Sequence, residues 1–292
     1  MTQVNWDLFK CRASAINKMM ATNPGEKPIS DIGLRKIGEF EEKMKSKPLA
    51  PGMALEYAAL IQKRDNPPKQ ELADGCIGYL LEVYAWLRFG IIPIGKESLD
   101  MLQMRKGKEC EQIALKLLSS VDGEVYKQHK ERIENDYLSG EIDAYCGASV
   151  FNANIIVDIK NAFDYPVFLK KVTGGLENGQ REQVATYCAI TKAKSGYIVN
   201  CLVDSPDDII FEMKGRISRK LGIIDDTTPS FQEEWQKWER SMLFGRIPAS
   251  QRVNKIPIEL FSENEITQIY DRVKQCRDWL WNFDENYQKM NL

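Results

Sequence analysis

Asp143 and the triplet Asp158-Ile159-Lys160 place two carboxylates and an ammonium at a spacing that suits one face of a β-hairpin. Paired carboxylates hold a hard divalent cation through oxygen. A cation with an amine beside it is the equipment for hydrolysing a phosphodiester. The run Asn154-Ile155-Ile156-Val157-Asp158-Ile159-Lys160 is rich in β-branched residues. Alternation along a strand puts Asp158 and Lys160 on one face and Ile155, Val157 and Ile159 on the other. Upstream, Glu141-Ile142-Asp143-Ala144-Tyr145 reads as the partner strand, with a turn-rich connection from Cys146 to Asn154. Paired antiparallel about the middle of that connection, the strands set Asp143 opposite Asp158, with Cβ atoms about 4.5–5.5 Å apart. Without a cation, such like charges destabilise the hairpin. Taken alone, the three residues fit an exposed salt bridge on a solvated sheet face equally well.

The other elements of the region bear on that choice. Gly107 to Leu118 has helical period, and Glu111 shares its i+3, i+4 and i+7 face with Ala114, Leu115 and Leu118. An ionised carboxylate aimed at a core is costly without a partner, and a cation held by the hairpin would be that partner. On its own, Glu111 fits the rim of the apolar stripe, reaching back to water. Next, Gln180 to Ile190 reads as a helix on which Gln183 and Tyr187 lie one turn apart. Such a pair by itself is ordinary packing. Gly196 to Asp204 then reads as a buried strand.

The order helix with Glu, strand with Asp, strand with Asp-x-Lys, helix with Gln-x-x-x-Tyr, then strand resembles the PD-(D/E)XK nuclease superfamily. Within it, the chain is similar to the viral recombination exonucleases typified by lambda exonuclease and the YqaJ-like group. The matching pieces lie in residues 105–205: Gly107-x-x-x-Glu111, Gly140-x-x-Asp143, Asp158-Ile159-Lys160 and Gln183-x-x-x-Tyr187. The second acid is Asp158, where Glu is commoner. The segment Phe9 to Met20 resembles the Arg/Ser stretch that in these exonucleases holds the 5′-phosphate, which points to Arg12 and Ser14; an amphipathic first helix is the other reading.

The resemblance implies an α/β fold: a restriction-endonuclease-like core with a central mixed sheet flanked by helices, plus helical elaborations at both ends. It implies that Asp143, Asp158 and the carbonyl of Ile159 ligate Mg²⁺ or Mn²⁺, one or two ions, with Glu111 acting directly or through water. Lys160 would stand by the attacking water, Gln183 would orient Lys160 or that water, and Tyr187 would support them. The implied substrate is a linear double-stranded DNA end, digested 5′ to 3′ in phage-type recombination to expose single strand for an annealing protein. A homotrimeric ring is the implied assembly. Two alternatives stay open: a structure-selective or site-specific endonuclease on the same core, and a DNA-binding module whose site is inactive.

With 292 residues and 43 % hydrophobic content the chain can bury a substantial core. Forty basic against 42 acidic residues give a net charge of −2, so DNA contact must come from local patches rather than a global field. Lys170-Lys171, Lys214 to Lys220, and Arg105-Lys106-Gly107-Lys108 are the candidates, each equally readable as solvated surface. Seven scattered cysteines with no Cys-x-x-Cys pair argue for a reducing compartment and against a zinc ribbon. They also lack the clustered arrangement of the superfamily's iron–sulfur members. His129 is the single histidine, against His-Asn-His nucleases and multi-His zinc hydrolases, and reads as an exposed polar residue. There is no Gly-x-x-x-x-Gly-Lys-[Ser/Thr] loop for ATP, no bilayer-length apolar stretch and no signal-peptide pattern at Met1 to Asp7. The expectation is a soluble, cytoplasmic enzyme, in a bacterial host if viral.

Along the chain, residues 1–104 read as mainly helical, broken at Asn23-Pro24-Gly25, Pro48 to Gly52, Asp65-Asn66-Pro67-Pro68 and Pro93. Residues 105–225 read as the nuclease core and 226–292 as a helical C-terminal region, together one compact unit. Ser230 to Glu233 and Ser262 to Glu265 are capping-box patterns. Ile266, Ile269, Tyr270, Val273, Leu280 and Phe283 then follow helical period on the last helix. Trp235, Trp238, Trp279 and Trp281 could stack on bases or pack in a core.

Overall fold

A computed structural model describes residues 4–22, 29–66, 71–91 and 102–290. Its first elements are β1 (Cys11–Arg12), α1 (Ile16–Met19), α2 (Asp31–Met44), α3 (Pro51–Asp65), α4 (Asp74–Phe89), α5 (Leu102–Glu109) and α6 (Glu111–Asp122). Four strands follow, β2 (Lys127–Gln128), β3 (Ile133–Glu134), β4 (Leu138–Gly140) and β5 (Ala144–Gly147), then the long β6 (Ala153–Asn161). The rest are α7 (Tyr165–Gly174), α8 (Gln180–Thr191), β7 (Ser195–Cys201), α9 (Asp207–Leu221), α10 (Pro229–Met242), β8 (Val253–Ile258) and α11 (Glu263–Met290). The chain divides into two units, one of Met1–Phe9, Lys18–Ile91 and Ser262–Leu292, the other of Lys10–Asn17 and Ile92–Phe261.

The second unit holds the expected mixed sheet. Its order is β2-β5-β6-β7-β8, antiparallel except for the parallel β6/β7 pair. Parallel neighbours need a long crossover, and α7 and α8 supply it. One face of the sheet buries Ala144, Val157, Ile159, Val199 and Cys201 against Ala114, Leu115 and Leu118 of α6. The face of β6 that carries Asp158 faces α8, whose Gln183 bonds the Asp158 carboxylate. A second, small sheet runs β1-β4-β3, with β1 parallel to β4.

The helix expected to run unbroken from Gly107 to Leu118 bends at buried Cys110, where φ is −91° and ψ 0°. Bonds from Cys110 N to Lys106 O (3.1 Å) and from Ala114 N to Cys110 O (2.9 Å) carry the ladder through the bend. Glu111 therefore opens α6. Helix α5 is tied to the end of β6 by Asn161 Nδ2 donating to Gly107 O (3.0 Å) and Lys106 Nζ donating to Phe163 O (2.9 Å). Helix α10 starts at Pro229, with Thr228 before it, rather than through the Ser230–Glu233 box. Proline's fixed φ and missing N–H suit the first helical position, which leaves Ser230 inside the helix. Trp235 of α10 packs with Phe231, Ile209 and Met213, while Trp238 is exposed.

In the first unit, Ser30 caps α2 by accepting from Gly33 N (3.2 Å). Pro51 opens α3, so the Pro48–Gly52 break falls between two helices as expected. The breaks expected at Asn23-Pro24-Gly25, Pro67-Pro68 and Pro93 lie outside the described residues. Helix α11 begins with the expected capping box in full: Glu265 N donates to Ser262 Oγ (3.2 Å) and Ser262 N to Glu265 Oε2 (2.9 Å). Helices α4 and α11 meet at Asp284, which accepts from Tyr84 (2.7 Å) and from Trp6 Nε1 (3.1 Å). Trp279 stacks on Phe283, and Trp281 donates to Asp7. No helix among the described residues is long and apolar enough to cross a membrane.

Candidate active site

The β5/β6 register pairs Ala144 with Val157 and Tyr145 with Ile156. Continued by one residue, it sets Asp143 opposite Asp158, as the spacing predicts. Strand β5 starts one residue later, at Ala144, and Glu141 to Asp143 form the irregular approach from β4. Asp143 gains its hold from the neighbouring strand instead, where Ile159 N donates to its Oδ2 at 2.6 Å.

Asp158 is buried, 2 % exposed, with the Lys160 Nζ 2.6 Å from its Oδ2. The ammonium and that carboxylate oxygen form an ion pair. Its Oδ1 accepts from Gln183 Nε2 at 3.2 Å, and the same amide donates to the Tyr187 hydroxyl at 2.7 Å. Gln183 thus touches Asp158 and Tyr187, where the sequence suggested Lys160 or water. The buried Tyr187 ring lies against Gly140: a Cβ there would meet Tyr187 Cε1 at 2.5 Å and Ala13 Cβ at 3.2 Å. Space, rather than backbone freedom, requires this glycine.

Burial and the charge of Asp158 push the Asp143 carboxyl up to about 7, against the pull of the Ile159 N–H and Lys160; Glu111 adds to the rise. Burial alone would lower the Lys160 ammonium, but Asp158 and Asp143 outweigh it and hold the group above its ordinary value. Burial, then Asp158, raises Tyr187. A carboxyl that burial and a neighbouring carboxylate disfavour in its charged form is a place for added positive charge.

Glu111 and Asp143 line a groove of about 540 Å³ that also presents Lys108, Gln128, His129 and Lys130. Asp158 is not part of that lining. Glu111 and Asp143 share the groove, but among the described residues no three His, Cys, Asp or Glu side chains stand as a ready metal-holding group. The donor set nevertheless fits a hard cation, being all oxygen. The buried Oδ2 of Asp158, which faces the Lys160 ammonium, belongs to that oxygen set.

Arg12 and Ser14 are exposed, alternating with buried Cys11, Ala13 and Ala15. The segment is a short strand and a 3₁₀ turn rather than an amphipathic helix, with only four residues in α1. Arg12 pairs with Ser139 on β4, the strand that leads through Gly140 to Asp143, and Ala13 touches the Gly140–Tyr187 contact. Of the basic runs, only Lys108 reaches the groove. Lys106 is buried, and Arg105 is engaged by Asp208 and Glu212. Lys171 pairs with Glu177, Arg216 with Glu212 and Lys220 with Glu234. His129, expected to be exposed, is half-buried with its ring edge-on to Tyr145 at 6.2 Å. Sequence reasoning missed Gln128, His129 and Lys130 as groove residues because β2 is two residues long and carries no readable period.

No family model and no curated relative matches the chain. Solved structures do. A phage-related exonuclease from Haemophilus somnus 129PT is 17 % identical with a TM-score of 0.56, covering 97 % of this chain and 96 % of that one. An alkaline exonuclease (LHK-Exo) from Laribacter hongkongensis is 13 % identical with a TM-score of 0.52, covering 98 % and 96 %. The same enzyme in complex with dAMP is 12 % identical with a TM-score of 0.53, covering 98 % and 94 %. The chain therefore has the mixed α/β fold of these exonucleases over nearly its whole length.

Proposed function

We propose that the protein is a Mg²⁺- or Mn²⁺-dependent exodeoxyribonuclease that degrades linear double-stranded DNA from its ends, 5′ to 3′. The observation that carries this reading is that the β5/β6 register, continued by one residue, sets Asp143 opposite Asp158, with Lys160 on Asp158 and the Asp143 carboxyl raised by burial and then by Asp158. The exonuclease fold agrees with it.

Asp143, Asp158 and the Ile159 carbonyl would hold the cation, with Glu111 reaching it directly or through water. A divalent ion there supplies Lewis-acid stabilisation of the negative charge that builds at phosphorus. Lys160, kept charged by two carboxylates, adds a positive charge at the same place and positions the attacking water. Gln183 keeps Asp158 in one rotamer, and Tyr187 keeps Gln183 in place by accepting its second N–H. Arg12 and Ser14, exposed on the segment beside β4, would receive the 5′-phosphate. A homotrimer handing its single-stranded product to an annealing protein, in phage-type recombination in the cytoplasm of a bacterial host, completes the reading.

Incubation of linear and covalently closed circular duplex with Mg²⁺, using 5′- and 3′-labelled ends, tests it. Loss of the linear DNA from its 5′ ends with the circle untouched is expected. Cutting of the circle would make the protein an endonuclease, and no cleavage of either with any divalent metal would leave a DNA-binding module.

A further inference from the structure

The three acids differ in how they are held. Asp143 is fixed by a backbone N–H, and Asp158 by Gln183 and Lys160. Glu111 is not on a strand and, among the described residues, takes no backbone donor: it opens α6 at the edge of the groove, half-buried, on a side chain with three torsions. Such a side chain loses rotamer freedom when it is held in one place, so its position depends on what bonds it.

Gln128 bonds it. Its Nε2 donates to Glu111 Oε2 at 3.1 Å, and its Oε1 accepts from Gln112 Nε2 at 3.3 Å. The orientation of the relay follows from chemistry, since a carboxylate only accepts and the Gln128 amide must therefore turn its NH₂ to Glu111 and its carbonyl to Gln112. Gln128 is itself placed by β2, where it pairs with Ala144, the residue after Asp143. The distance from Glu111 to Asp143 is thus set through one side chain and one strand pairing. The bond occupies one Glu111 oxygen and leaves the other available. Glu111 and Asp143 line the same groove.

We infer that Gln128 is a positioning residue that sets Glu111 against Asp143 for cation binding, with Gln112 anchoring it; this rests on the nuclease reading. The test is Mn²⁺ binding to the full chain by isothermal titration calorimetry, without DNA, with the melting temperature and steady-state constants measured alongside. Gln128→Met keeps length and packing and strips the donor. Its Mn²⁺ affinity is expected to fall about 10-fold or more. The melting temperature and the KM for DNA should stay at wild-type values, and kcat should recover at saturating Mn²⁺. Gln112→Met should shift affinity in the same direction by less. Wild-type affinity in Gln128→Met, or a loss matched by a lowered melting temperature, overturns the inference while leaving the nuclease reading intact. No Mn²⁺ binding by the wild type would overturn both.

Discussion

The backbone N–H of Ile159 donates to the Asp143 carboxylate at 2.6 Å, so the residue between Asp158 and Lys160 holds the acid opposite them. Strand pairing and site assembly are here a single interaction.

Because burial and Asp158 raise Asp143 from 3.8 to about 7, the native state of the cation-free protein binds a proton that the unfolded chain releases. Stability from this group is present below about pH 4 and is lost as pH rises through 7. Asn keeps the acceptor for Ile159 without the charge. Asp143→Asn should therefore exceed wild type by about 1–3 kcal/mol at pH 8 in chelator, with the gap closing toward pH 4. Urea titrations across that range measure it, and a gap that does not move with pH contradicts the assignment.

Asp158→Asn, which keeps the acceptor for Gln183, and Lys160→Met should each lower cleavage of linear duplex by at least about 100-fold while circular dichroism stays native-like. Undiminished activity in either purified variant refutes the site.

Gly140→Ala puts a methyl 2.5 Å from Tyr187 Cε1. Overpacking of this kind costs about 1–3 kcal/mol. It should also displace Tyr187 and, through it, Gln183, lowering kcat. In Gly140→Ala/Tyr187→Leu the clash is relieved but the hydroxyl is gone, so stability should return and kcat should not. Recovery of both would show that Tyr187 has no part in holding Gln183.

Burial of Lys106 lowers its ammonium from 10.5 to about 8. Here the unfolded chain binds the extra proton, so stability rises as pH climbs from about 8 to 10.5. Lys106→Met loses the bond to Phe163 O at every pH, but its stability relative to wild type should fall by about 1–3 kcal/mol between pH 7 and pH 10.5. Denaturant melts of the pair at both pH values decide it; a constant difference would mean the lysine is not held as described.

What the chain states locally was legible in its residues. The β-branched run around Asp158, the helix bearing Gln183 and Tyr187, and the Ser262–Glu265 cap all depend on neighbours within a few positions, so period and capping chemistry suffice. The opposition of Asp143 and Asp158 was also readable, because hairpin register follows from where the connection lies. Tertiary structure alone decided the rest. Two-residue strands such as β1 and β2 exist only by pairing with β4 and β5, and no window of sequence that short has a period. Gln128 meets Glu111 from 17 residues away, Gln183 meets Asp158 from 25, and Arg105 spends its charge on Asp208 and Glu212 more than 100 residues on. α11 packs with helices from the other end of the chain. Such pairings are chosen by which faces must be buried and which charges must be met once the sheet has formed, and that competition is settled only in three dimensions.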